Sequence, residues 1–176
     1  MTLDERKLRL IRTHIPAEPL RILDIFSGNC EYSKWISEIY PVELIVAIDK
    51  KANCKDVIMY KIEITCNTNT EALAEELGKN IYNVILLFDA LEHTECYGKL
   101  LELCKYCITT DGVILGSTIG IPTDNVTNAI YQDSEHLHLF TKEFIVRLFK
   151  KYGFNNIIVS QDHEIIFFVA KQSWII

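Results

Sequence analysis

The chain has 176 residues and a mass of 20.3 kDa, enough to bury a core without disulfide or metal staples. Its 49% hydrophobic and 24% charged residues exclude a disordered polymer. The balance of 18 Lys+Arg against 24 Asp+Glu, a formal charge of −6, disfavours wholesale nucleic-acid binding, and no apolar run approaches the ~20 residues of a membrane span.

In chain order, TLDERKLRLIRTHI reads as an N-terminal helix over residues 3–14, too charged for a secretory signal. Residues 1–19 then form the helix and lead-in of a single domain spanning 1–176. RILDIF (21–26) and LIVAID (44–49) are short apolar strands, with Tyr32, Trp35, Ile36, Ile39 and Tyr40 at helical spacing between them and Pro41 as the stop. VIMY (57–60) precedes a short helix carrying Leu73 and Leu77 and closed by Gly78. NVILLF (83–88) is apolar on both faces, and the helix after it carries Tyr97, Leu100, Leu101, Cys104 and Ile108. Asp111-Gly112 reads as a turn into VILGST (113–118). Residues 119–140 have no clear periodicity, and an aperiodic loop of that length suggests a lid. A helix from Thr141 to Gly153 and an antiparallel hairpin, IIVS (157–160) with EIIFFVA (164–170), complete the chain.

Six cysteines, Cys30, Cys54, Cys66, Cys96, Cys104 and Cys107, exceed what a domain of this size needs. They are expected as thiols in a reducing, cytoplasmic compartment. Cys104 and Cys107 form a lone CxxC inside a helix, where small apolar side chains pack; a zinc ribbon needs a second such pair.

Strands apolar on both faces and alternating with helices imply a doubly wound α/β sheet. Ligands of such sheets bind beyond the carboxyl ends of the strands, which directs attention to Asp24–Cys30, Asp49–Lys51, Asp89–His93 and the residues after Thr118. Gly28 after the first strand and Asp49 at the end of the second suit a nucleoside: backbone approach at the turn, and a carboxylate for two ribose hydroxyls.

These motifs, RILDIFSGNCEYS, LIVAIDKK, YNVILLFDALEH and DGVILGST followed by SEHLHLFTKEFIVRLFKKYGF, resemble in order and spacing the class I S-adenosylmethionine-dependent methyltransferases of the small-molecule branch. The resemblance implies a Rossmann-like, seven-stranded, mostly parallel sheet with an antiparallel last strand and helices on both faces. It implies S-adenosyl-L-methionine as cofactor. Asp24 would orient the methionine ammonium, and the turn Phe26, Ser27, Gly28 and Asn29 would let the backbone approach. Asp49 would grip the ribose with Lys50 beside the adenine, Asp89 and Ala90 would line the methionine side, and Glu63 is the nearest candidate for an adenine-side acid. Phe26 and Cys30 stand where the family pattern has its first and third glycines, which narrows the turn.

The fourth strand end, Phe88-Asp89-Ala90-Leu91-Glu92-His93, lacks the Pro-Pro-aromatic pattern of base and glutamine amino-methyltransferases. Methyl transfer to an oxygen, or a nitrogen, of a small acceptor is therefore expected, with no nucleic acid and no membrane as partner. His93 and His136 are the candidate catalytic bases, since imidazole takes up protons near neutral pH. Tyr32 and Tyr131 are possible substrate-facing aromatics, and His138 shares a face with His136 if that piece is extended. One alternative is an inactive methyltransferase-like binding module. A second follows from Asp89-x-x-Glu92-His93 with the later His136, which resembles the metal-ligand pattern of methyltransferases acting on the 3′-terminal ribose of small RNAs. The acidic chain and the shorter Asp89 favour a site with no metal.

Overall fold

The structure, a computed structural model, describes residues 3–51, 54–55, 57–122 and 134–172. The elements are α1 (Glu5–His14), β1 (Leu20–Ile25), α2 (Glu31–Ile39), β2 (Val42–Ile48), β3 (Ile58–Tyr60), α3 (Thr70–Leu77), β4 (Tyr82–Phe88), α4 (Tyr97–Cys107), β5 (Ile108–Ile119), α5 (Lys142–Lys151), β6 (Phe154–Asp162) and β7 (Ile165–Gln172). They build one seven-stranded sheet in the order β3-β2-β1-β4-β5-β7-β6. Neighbours from β3 to β5 pair in parallel, and β7 runs antiparallel to both β5 and β6. This is the doubly wound, Rossmann-like arrangement with a reversed last strand.

The sheet is covered on both faces. α1 and α2 place Leu8, Ile11 and Ile36 against Ile22, Val84 and Leu86. α3, α4 and α5 place Leu77, Leu100, Cys104 and Phe149 against Leu23, Ile85 and Phe168. Every residue of β4 is buried, as a central strand covered on both faces requires. Local chemistry starts the helices: the side chains of Asp4, Asn69 and Thr141 accept from backbone N–H groups of the first turns of α1, α3 and α5. Gly116 in β5 is dictated by packing, since a Cβ there would strike the Phe168 ring and the Leu87 carbonyl.

Two expectations are overturned here. Asp111-Gly112 is not a turn before β5. The strand starts at Ile108, which pairs with Tyr82, and the register then shifts so that Val84 meets Val113. The extra residues bulge out of the ladder, a local irregularity that a turn dipeptide accommodates. The second concerns the cysteines: Cys30 is bonded to Cys54 and Cys66 to Cys96, with Cα separations of 6.0 and 5.2 Å. Their sequence separations of 24 and 30 carry no pairing signal; the loops at the carboxyl edge of the sheet bring them together. Cys104 and Cys107 are buried free thiols on α4, packed as expected.

The 119–140 segment is described at its two ends. Gly120 bridges to Phe140, and Ile121 N–H donates to the Phe140 carbonyl at 2.9 Å, so the ends are pinned together at the sheet. Residues 123–133, including Tyr131, lie outside the described residues.

Candidate functional site

The carboxyl ends of β1, β2 and β4 open into a cleft of about 750 Å³. At the end of β1, Asp24 is buried, and its Oδ2 has no hydrogen-bond partner. Burial, opposed by the Ser33 hydroxyl and reinforced by the negative charge of Asp49, pushes its carboxyl up to about 6.

The chain then turns sharply. Phe26 N–H and Ser27 N–H both donate to the Ile48 carbonyl, at 2.8 and 3.3 Å, folding the turn over the end of β2. Phe26, Gly28 and Cys30 have φ of 58°, 53° and 59°. Thus all three positions where glycine is the expected residue are left-handed, and two of them hold side chains there. The backbone keeps the tight turn that the substitutions were expected to narrow, at a cost of about 1–2 kcal/mol for each non-glycine residue. The Ser27 Oγ is a second buried polar atom without a partner.

Asp49 follows β2 directly. Its Oδ2 accepts from Gly28 N–H at 3.1 Å and its Oδ1 from Lys51 N–H at 2.8 Å. Lys50 lies 3.6 Å from Glu63, and Ile62 to Thr65 form the wall beyond.

At the end of β4, Asp89 also has positive φ, 50°. Its Oδ1 accepts from the Ser117 hydroxyl at 2.6 Å, and its Oδ2 pairs with the Lys7 ammonium. Lys7 is buried on the apolar face of α1, with its ammonium 5.4 Å from the Tyr32 ring centroid and 5.6 Å from that of Phe88. Tyr32 and Phe88 pack at 4.8 Å between centroids and, with Asp89, line this end of the cleft.

His93 lines the cleft, and its Nδ1 is 3.1 Å from the Glu135 carbonyl. The His136 ring packs against it at 4.8 Å between centroids and does not itself face the cleft. His138 turns to Tyr97 instead, at 5.3 Å. Glu92 is buried beside His93. Its Oε2 accepts from the Thr118 hydroxyl at 2.7 Å, Oε1 has no partner, and burial together with the charge of Asp89 pushes it up to about 7. Among the described residues no group of three or more His, Cys, Asp or Glu is arranged to hold a metal ion.

Of the residues singled out in the sequence, Asp24, Phe26, Ser27, Gly28, Asn29, Asp49, Lys50, Asp89 and His93 converge on this one cleft. Ala90 is buried in the core behind it. Lys7 went unremarked in the sequence. Its signal was a lysine one helical turn before Ile11, on a face otherwise apolar.

The family described as methyltransferase domain matches residues 3–159. No curated protein matches the chain. Among solved structures, an S-adenosylmethionine-dependent methyltransferase from Archaeoglobus fulgidus is 15% identical with a TM-score of 0.71, covering 96% of this chain and 93% of its own. Phosphoethanolamine N-methyltransferase 2 of Haemonchus contortus, solved with phosphomonomethylethanolamine and S-adenosylhomocysteine, is 14% identical with a TM-score of 0.72. The match covers 97% of this chain and 53% of that one, so the chain spans about half its length. The 1,6-didemethyltoxoflavin-N1-methyltransferase of Burkholderia thailandensis, solved with its substrate and S-adenosylhomocysteine, is 14% identical with a TM-score of 0.69, over 96% and 77% of the two chains. At these identities the likeness is one of fold.

Proposed function

Since this chain belongs to the methyltransferase domain family, we propose that it uses the cleft to transfer a methyl group from S-adenosylmethionine to an oxygen, or a nitrogen, of a small acceptor. The observation that carries the proposal is the Asp24 carboxyl: buried, on the cleft wall, with one oxygen unpartnered. A buried orphan acceptor is costly unless a ligand supplies the donor. An ammonium is the donor that a carboxylate held in a dry site accepts best.

The other residues fit the rest of the same cofactor. Asp49 lines the cleft directly after β2, where a carboxylate can accept from ribose hydroxyls, and the space over Gly28 is open, so the backbone can be approached closely. Lys50, Glu63 and Ile64 wall the adenine side. The cofactor supplies an activated sulfonium methyl. The chain's own work is alignment, exclusion of water and removal of a proton. Asp89 lines the methionine side, and Tyr32 and Phe88 bound the acceptor end. His93 is the candidate base, with Nδ1 held by the Glu135 carbonyl, which orients the ring and leaves Nε2 for the acceptor. His136 packs on His93 and positions it.

The solved relatives that carry small acceptors, phosphomonomethylethanolamine and 1,6-didemethyltoxoflavin, support an acceptor of that size here. The proposal includes a cytoplasmic setting; no helix among the described residues is long and apolar enough to cross a membrane. The test is transfer of isotope-labelled methyl from S-adenosylmethionine to a panel of small hydroxy and amino acceptors. Labelled product that disappears in His93→Ala while cofactor affinity stays supports the assignment. Transfer to no acceptor by a protein that binds the cofactor favours a non-catalytic module.

A further inference from the structure

The two disulfides differ in a way that the fold makes consequential. Cys30 and Cys54 are buried in a small cluster with Ala47 beneath the Gly28 turn. Cys66 is exposed and Cys96 is partly exposed. Cys66 follows Thr65 on the cleft wall beyond β3, and Cys96 follows Thr94 and Glu95 on the wall beyond β4. In the order β3-β2-β1-β4 the ends of β2 and β1 lie between those walls, carrying Asp49 and Asp24. The Cys66–Cys96 bond therefore closes a ring around the place where the cofactor is proposed to sit.

We propose that Cys66–Cys96 is a thiol–disulfide exchange site that sets the affinity of the cleft for its cofactor; the inference rests on the methyltransferase reading. The near part of the wall it secures is anchored by Ile64 in the core and by the Lys50–Glu63 pair, but the part beyond Ile64 has little other structure. Residues 61–69 form neither helix nor strand, and the hydrogen bonds of Thr65, Asn67 and Thr68 close on their own turn. Without the bond, ordering that wall around the cofactor costs conformational entropy at the moment of binding. With the bond, that entropy is already lost. A depression of about 300 Å³ lined by Cys66, Glu95, Cys96 and Lys99 opens on the outer side of the bond and gives an exchange partner access.

The partner is a low-molecular-weight thiol–disulfide couple such as glutathione. A thiolate attacks one sulfur of the bond, forming a mixed disulfide and releasing one cysteine thiolate. A second thiol attacks the mixed disulfide, releases the other cysteine and leaves as the small disulfide. Two electrons and two protons pass from the two small thiols to Cys66 and Cys96. Exposed disulfides in reducing compartments are characteristically redox-sensing, whereas the buried Cys30–Cys54 pair is shielded from attack.

The test holds full-length protein in glutathione buffers of stepped redox poise and reads two things. Alkylation with peptide mapping reports which cysteines are free, and calorimetric titration with S-adenosylhomocysteine reports affinity. The expected result is a transition at Cys66 and Cys96 with Cys30–Cys54 intact, and an affinity about tenfold weaker on the reduced side. Faster amide exchange over residues 62–66 should accompany it, and re-oxidation should reverse both. The Cys66→Ser/Cys96→Ser double variant should bind weakly at every poise. Equal affinity on the two sides overturns the exchange site alone, as does alkylation of Cys66 and Cys96 throughout the range. No binding at any poise, with the bond intact, overturns the cofactor reading and the exchange proposal with it.

Discussion

Asp49 and Gly28 are joined across the mouths of two strands: the Asp49 Oδ2 accepts the Gly28 N–H at 3.1 Å, linking the turn after β1 to the end of β2. The bond holds the left-handed turn Phe26–Cys30 over the Ile48 carbonyl and keeps the second oxygen of Asp49 on Lys51 N–H. The carboxylate proposed to grip the ribose is thus set in place before any ligand arrives, which lowers the cost of ordering it.

Gly28 and Gly116 separate affinity from stability. A Cβ on Gly28 meets nothing within 4 Å, so Gly28→Ala costs only the left-handed backbone, about 1–2 kcal/mol, and obstructs the cleft. Its thermal midpoint should fall by about 2–8 °C, at ~2–4 °C per kcal/mol, while S-adenosylhomocysteine affinity drops tenfold or more. Gly116→Ala pushes a methyl into Phe168 and the Leu87 carbonyl. It should cost about 1–3 kcal/mol of stability with little change in the affinity of the folded protein. Paired calorimetry and thermal melts check both, and unchanged affinity in Gly28→Ala contradicts the placement of the cofactor.

Asp24 predicts a pH dependence of definite sign. Its folded-state value of about 6 lies above the ordinary 3.8, so the native state binds the proton more tightly than the unfolded chain does. Its contribution is neutral below the ordinary value and becomes destabilising as pH rises from about 4 to 6, reaching at most about 3 kcal/mol at 1.36 kcal/mol per pH unit. Asp24→Asn should therefore be more stable than wild type at pH 8 and equal to it below pH 4, by urea denaturation. Wild-type affinity for the ammonium-bearing cofactor should rise with pH through about 6 with proton release, and the variant should lose that rise.

Glu92 behaves likewise over a higher window. Its value of about 7 against an ordinary 4.5 means that stability falls as pH rises between those limits. Glu92→Gln keeps an acceptor for the Thr118 hydroxyl and removes the charge. It should stabilise the protein by about 1–3 kcal/mol at pH 8 and leave it unchanged at pH 4, again by urea denaturation. Equal stability of the two proteins at pH 8 contradicts the burial of a charged carboxyl at this site.

Lys7 and Asp89 should couple energetically. The lysine is buried but the carboxylate is half exposed, so the pair is partly screened. Lys7→Met, Asp89→Asn and the double variant should give a coupling energy of about 1 kcal/mol in a double-mutant cycle. A coupling near zero would show that α1 docks through Leu8 and Ile11 alone.

The strand ends were legible in the sequence because apolar runs there carry or meet an acid or a glycine: Asp24 lies one residue before the end of β1, Gly28 in the turn after it, and Asp49 and Asp89 directly after β2 and β4. Long parallel strands leave little freedom there, so local pattern and tertiary position coincide. Where a role depends on what a distant segment brings, the pattern was silent. Lys7 acts at the cleft because α1 packs over β5 and β7, and one lysine on an apolar face does not say which carboxylate it meets. Cys66 and Cys96 pair through two loops with no periodicity of their own. The β5 bulge was hidden because Asp111-Gly112 suits a turn and an irregular ladder equally well.

The most direct measurement of the central claim is calorimetric titration of the oxidised protein with S-adenosylhomocysteine at pH 7.5, with Asp49→Ala alongside. One site per chain is expected in the wild type. Affinity should fall at least tenfold in Asp49→Ala, because two ribose hydrogen bonds to a charged acceptor are lost, at ~1.5–3 kcal/mol each as an upper guide. A wild-type protein that shows no heat of binding at millimolar ligand would contradict the account.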